Sequence, residues 1–158
     1  MKKYLLLVFL ITFCGRTYQG DFYWRAVNLE NIVGLEKYIF QPNQYYLGRE
    51  NLYFSEDDTI WWMYKFENRL FLDKKFYAVL YNFTNTLQPI EIDLRLVEVE
   101  YQDGEFFLRD YYHALNTGHY ILKLASKIDS EPFDEVHFRV LSKEEIQFPI
   151  GSIGYKSY

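Results

Sequence analysis

Histidines, cysteines, serines and paired carboxylates are the side chains with which this chain could do chemistry, and few of them stand in working arrangements. The three histidines are His113, His119 and His137. A zinc site needs three or four His, Cys or carboxylate ligands converging on one point. The sequence has no HExxH and no close histidine pair, so no metal ligand set is expected. His119 and His137 fall on expected neighbouring strands, on faces shared with Lys123, Glu135 and Arg139, which reads as solvated surface. Gly151-Ser152-Ile153-Gly154 has the wrong spacing for a nucleophile elbow. Neither of the glycine-rich patterns that cradle phosphates is present, and no cofactor is expected. The acidic groups Glu56-Asp57-Asp58 and Asp129, Glu131, Asp134, Glu135 could lend oxygens to calcium. The plainer reading is exposed turns, where Asp also bonds its own backbone. No catalytic residue is expected.

Aromatic side chains offer binding rather than catalysis. Rows of exposed Tyr or Trp recur at interfaces and on sugar-binding faces. Trp61 and Trp62 are adjacent, so in a strand they point to opposite faces and cannot form one platform. One of them is expected in the core. Tyr45-Tyr46 and Tyr111-Tyr112 are the better candidates for an exposed patch, with core packing or a tyrosine corner as the commoner role.

The only cysteine, Cys14, has a more specific setting. Met1-Lys2-Lys3 precedes an apolar run from Tyr4 to Phe13, and Cys14-Gly15-Arg16 follows. A basic start and a short apolar run have the layout of a secretory signal peptide. The run is about half the ~20 apolar residues a spanning helix needs. Ile11-Thr12-Phe13-Cys14 resembles the lipobox of bacterial lipoproteins, in which the Cys thiol is acylated and the chain is cut before it. Phe13 stands where that pattern usually carries Gly, Ala or Ser. The resemblance covers about the first 15 residues. It implies a signal peptide over residues 1–13 and a lipidated tether from Cys14, running over 14–20; the remainder, 21–158, is expected from its own pattern to be a single β-rich domain. The resemblance also implies export and attachment to the bacterial cell envelope through lipid on Cys14. Gly15 leaves an outer-membrane destination open. Ordinary signal cleavage, giving a secreted or periplasmic protein, is the alternative.

Composition narrows the partners. The 158 residues carry a net charge of −5, and loss of Lys2 and Lys3 with residues 1–13 leaves 15 basic residues against 22 acidic, or −7. A chain of this sign has no general attraction to nucleic acid. With Cys14 acylated, no thiol remains for a disulfide. The aromatic share is 21%, led by 16 Tyr and 14 Phe. Such residues suit half-buried strands, although an AT-rich coding composition inflates them as well.

These candidates would be positioned by strands. Thr59–Phe66 is β-rich, with Ile60, Trp62, Tyr64 and Phe66 on one face. Lys75–Phe83 reads as another strand. Ile90–Leu96 alternates most cleanly, apolar on even positions and charged on odd ones, which predicts a half-buried strand resting on its even side. Val97, Val99 and Tyr101 then take over as the apolar set, as a β-bulge would produce. Asp103-Gly104 predicts a tight hairpin, with a return strand over Glu105–Arg109 and a loop from Asp110 to Thr117. Gly118–Leu124 and Glu135–Leu141 are two further strands. Asn28–Lys37 could form one or two helical turns, and the tail from Phe148 to Tyr158 is irregular.

Seven or so short strands predict a mainly β domain after an N-terminal signal helix. The expected form is a small antiparallel β-sandwich, with an immunoglobulin-like sandwich as one version and a small closed β-barrel as the alternative. Phe76–Leu96 generically resembles the early strands of small immunoglobulin-like envelope domains, without their paired cysteines. The function expected is a lipid-anchored, non-catalytic binding or scaffold module for protein partners in the envelope. A glycan-binding domain using exposed aromatics, and a small envelope hydrolase with an unmarked site, are the alternatives.

Overall fold

Apolar–polar alternation becomes strand at ten places in a computed structural model, which describes residues 18–28, 40–67, 73–84 and 87–147. The strands are β1 (Gly20–Asn28), β2 (Tyr46–Leu47), β3 (Leu52–Ser55), β4 (Asp58–Phe66), β5 (Lys75–Asn82), β6 (Ile90–Glu98), β7 (Glu100–Gln102), β8 (Glu105–His113), β9 (Gly118–Ala125) and β10 (Asp134–Leu141). A 3-10 turn at Pro42–Gln44 and a short helix α1 at Lys143–Gln147 complete the described elements. One sheet runs β2-β1-β4-β8-β7 and the other β3-β10-β9-β5-β6. Each therefore ends in two edge strands, which makes a β-sandwich and not a closed barrel. All pairings are antiparallel except β3 with β10, so the expected antiparallel sandwich holds one parallel exception.

The face predicted for β4 is the centre of the core. Ile60, Trp62, Tyr64 and Phe66 are buried there with Phe22, Trp24, Leu108 and Tyr112 of the same sheet. Phe76, Ala78, Leu80, Leu122, Leu124 and Phe138 meet them from the other sheet. Edge-on ring contacts such as Phe22–Tyr64 (5.0 Å) and Tyr64–Phe66 (5.2 Å) fill the layer. The opposite face of β4 is covered too. Trp61 and Met63 are buried with Phe40, Tyr45 and Phe107, so both tryptophans are core, one in each layer.

Several sequence boundaries move. β8 continues to His113, pairing with β4 from Phe107↔Lys65 to His113↔Thr59, so the expected loop begins only at Ala114. The long β4 template and the buried ring of Tyr112 extend it. At the β7–β8 hairpin, Asp103 and Gly104 have φ of 53° and 86°, the left-handed pair that the tight turn requires. The folded body reaches back past the expected domain start at residue 21. β1 begins at Gly20, and the Tyr18 ring packs on Phe76 at 4.8 Å while its hydroxyl donates to Asp73 at 2.6 Å.

Of the turns expected over Asn28–Lys37, Asn28 instead ends β1, paired with Asp58 of β4; the rest of that segment, the signal region with Cys14 and the tail with Ser152 lie outside the described residues. Among the described residues, no helix is long and apolar enough to cross a membrane.

Candidate interaction surface

β6 departs most from its sequence pattern, and the departure creates a surface. Two of its apolar residues point away from the core: Leu94 and Leu96 are 38% and 51% exposed. Ile92, 46% exposed, has no partner on β5, and Ile90, 55% exposed, lies opposite Asn82, on the other side of the strand from Leu94. The half-buried strand expected to rest on its even side is thus turned over. Leu94 and Leu96 lie opposite Val79 and Tyr77 of β5, so these four share the outer face of the second sheet. Single exposed apolar residues need no explanation, but a contiguous row does.

The physical reason lies on the inner side, where charged residues of β6 meet polar groups of β8. Arg95 donates from Nε to Asp93 at 2.6 Å, and from Nη1 to Asp110 at 3.1 Å and to the Tyr111 carbonyl at 2.8 Å. Its guanidinium also lies 4.8 Å from the centre of the buried Tyr112 ring. Charge-assisted bonds of this kind hold Arg95 inward. Next along the same inner side, Val97 enters the core. The apolar pattern changes at Val97 because the inner face stops being charged, not because the strand bulges there. Pairing with β5 is regular from Lys75↔Glu98 to Leu80↔Asp93 and then slips to Tyr81↔Glu91, leaving Ile92 without a partner. The expected bulge is therefore displaced to Ile92. After Glu98 the chain crosses between sheets through Val99, whose N–H donates to the Lys74 carbonyl at 2.9 Å, and continues as β7.

The expected aromatic candidates divide. Tyr46 is exposed on β2, but Tyr45 and Tyr112 are buried, and Tyr111 tilts over Trp61 at 4.6 Å. Tyr45-Tyr46 and Tyr111-Tyr112 consequently supply no exposed row; Tyr45, Tyr111 and Tyr112 furnish the two core layers. The sequence signal that would have marked β6 was present in its alternation, but alternation does not say which side is wet.

His119 and His137 come together on the outer face of the second sheet, with ring centres 5.5 Å apart, and Glu135 Oε1 lies 3.6 Å from His137 Nε2. His113 stands apart, its Nδ1 3.5 Å from the Thr59 hydroxyl. Partial burial, with His137 and Arg139 nearby, lowers the His119 pKa from 6.5. The neutral form is favoured in the folded state, so this group's contribution is complete above about pH 6.5 and declines as pH falls toward its folded pKa. An NMR titration is expected to show His119 protonating below pH 6.5; a midpoint at or above that value would remove the assigned burial effect.

Several of the acidic groups are held by their own chain, and Asp58, Asp134 and Glu135 belong to strands, Asp58 buried, rather than to exposed turns. Asp58 Oδ2 accepts from the Ser55 N–H at 2.8 Å, and Asp57 pairs with Lys143 at 2.7 Å. Asp134 pairs with Arg49 at 2.7 Å and Glu135 with Lys123 at 3.0 Å. Among the described residues, no three His, Cys, Asp or Glu side chains are placed to hold one metal ion.

An open groove of about 470 Å³ lies over Tyr23, Tyr45 and Met63, rimmed by Gln41, Asp103 and Glu105. Its rim is internally paired, Glu105 with Lys65 at 2.5 Å and Gln41 with Gln102 at 2.7 Å. The β6 row is the stronger candidate because its side chains have no such internal claim. Comparison with known proteins finds no family model and no curated protein that matches the chain.

Proposed function

We propose that the protein is a non-catalytic binding module, held at a bacterial envelope membrane by lipid on Cys14, which receives a protein partner on the outer face of β6. The exposed Leu94 and Leu96, sharing the outer face with Val79 and Tyr77, carry this reading. Water contact with such a row is unfavourable by about 25 cal/mol per Å² of apolar surface, which a partner would recover. The side chains also sit on a sheet braced from behind by Arg95, so little ordering is needed on binding. The lipid supplies location, and the strand supplies contact.

A photo-crosslinking residue at Leu96, in protein expressed in intact envelope membranes and labelled with a palmitate analogue, tests both parts. A discrete adduct with a second envelope protein is expected. Leu94→Lys should reduce it at least tenfold, whereas the same probe at Arg139, exposed elsewhere on the sheet, should give none. Cys14→Ala should abolish the palmitate label. A Leu96 probe that captures nothing, or captures equally well with Lys at 94, overturns the surface; unchanged labelling of Cys14→Ala overturns the anchor.

A further inference from the structure

The four sheet edges are unequal. β2, β7 and β3 are two, three and four residues long, whereas β6 is nine. Short edges give little template for another strand, and lysines or prolines discourage pairing on long ones. Ile90–Glu98 contains neither lysine nor proline. Its protective features are the unpaired Ile92 and the inward charges of Asp93 and Arg95, and the run from Asp93 to Glu98 is regular.

The order of side chains along this edge is self-complementary. In an antiparallel pair of identical strands within one continuous sheet, the residue on the two-fold axis faces itself, and residues equally far on either side face each other. With Leu94 on the axis, Leu94 meets Leu94 and Asp93 meets Arg95 on both sides, all within the regular run. Neighbouring registers lack this match. An axis at Asp93 or Arg95 opposes identical charges, an axis at Ile92 sets Glu91 against Asp93, and one at Leu96 sets Arg95 against Val97. Like charges directly opposite one another disfavour pairing, and opposite charges favour it. Asp93 and Arg95 already form an ion pair at 2.6 Å within one chain, so their charges lie at the level where the second copy would meet them.

The geometry points to a second copy of this chain as the occupant of the β6 edge, paired antiparallel about Leu94. The two second sheets then join into one, and the outer apolar rows of both copies become a single wider face. This pairing uses the edge of β6 and leaves its outer face for the partner, so it stands or falls separately from the binding function.

Single-cysteine substitutions in the full chain in membranes test the register. Residues facing each other in such a pair lie about 4.5–5.5 Å apart at Cα, within disulfide range. Leu94→Cys is expected to give a covalent dimer on mild oxidation, above any background from Cys14 in the unsubstituted chain. Two Leu96 positions would be about 13 Å apart along the strands, so Leu96→Cys should give at least tenfold less. Equal crosslinking at 94 and 96 indicates collision and overturns the pairing. No dimer from a folded Leu94→Cys protein overturns it as well, as does an adduct of Leu94→Cys with a different protein in place of its own copy.

Discussion

Trp62→Ala is expected to lower the unfolding midpoint by roughly 10–15 °C, from a loss of about 3–5 kcal/mol in a domain of this size. Trp62 is fully buried at the centre of β4, paired with Trp24 of β1 on one side and Asp110 of β8 on the other. Alanine there removes apolar contact and leaves a cavity between two sheets that cannot both close over it. A typical domain is stable by only about 5–15 kcal/mol, so the variant would stand near its unfolding threshold. Trp62→Phe separates the causes. The indole Nε1 is buried with no hydrogen-bond partner among the described residues, so phenylalanine removes a polar atom that nothing satisfies while keeping most of the volume. It is expected to cost less than half as much as alanine in parallel thermal melts. Equal losses for the two variants would mean that the indole nitrogen contributes to stability after all.

That core was legible. A strand buried on both faces, or on one face with the other covered, shows itself by hydrophobicity alone, and Ile60–Phe66 has apolar residues at both parities. The Asp103-Gly104 turn was legible for a different reason: two adjacent positions with positive φ leave few residue choices. The end of β8 was not, because Asp110 and His113 look like loop residues until β4 is seen to pair with them. Edge position is equally invisible. Nothing in the order of residues says that β6 has one neighbour rather than two, and pairing across the sandwich is a fact about three dimensions.

The β6 surface was half legible. From Asp93 to Leu96 the sequence sorts the residues correctly into two sides, though the slip at Ile92 reverses them for Ile90 and Glu91, and hydrophobicity then assigns the even side to the core. This inference assumes that the space beneath the strand is apolar. Here the space contains Asp110, the Tyr111 carbonyl and the face of the Tyr112 ring. These groups need a cation more than the strand needs to bury leucine. An apolar inner residue at position 95 would strand a carboxylate and a carbonyl, while leucine left outside costs only its contact with water.

Arg95→Leu is the substitution on which the two readings of β6 disagree in size. From alternation alone, a charge on the wet side is exchanged for leucine, with an effect within about ±0.5 kcal/mol. With Arg95 inward, the exchange breaks its bonds to Asp93, Asp110 and the Tyr111 carbonyl. The side chain remains 36% exposed, so water partly replaces what is lost, and the expected destabilisation is about 1–2 kcal/mol rather than the larger figure for a dry ion pair. Urea unfolding should show a lower midpoint with an unchanged slope. Asp110→Asn in the Arg95→Leu background should cost less than Asp110→Asn alone, because the carboxylate has already lost its partner. Leu96→Arg supplies the mirror measurement, since an exposed leucine on the outer face should accept arginine with little change in stability. A neutral Arg95→Leu together with a strongly destabilising Leu96→Arg would mean that β6 rests on its leucines, and the apolar row would then be core rather than a binding face.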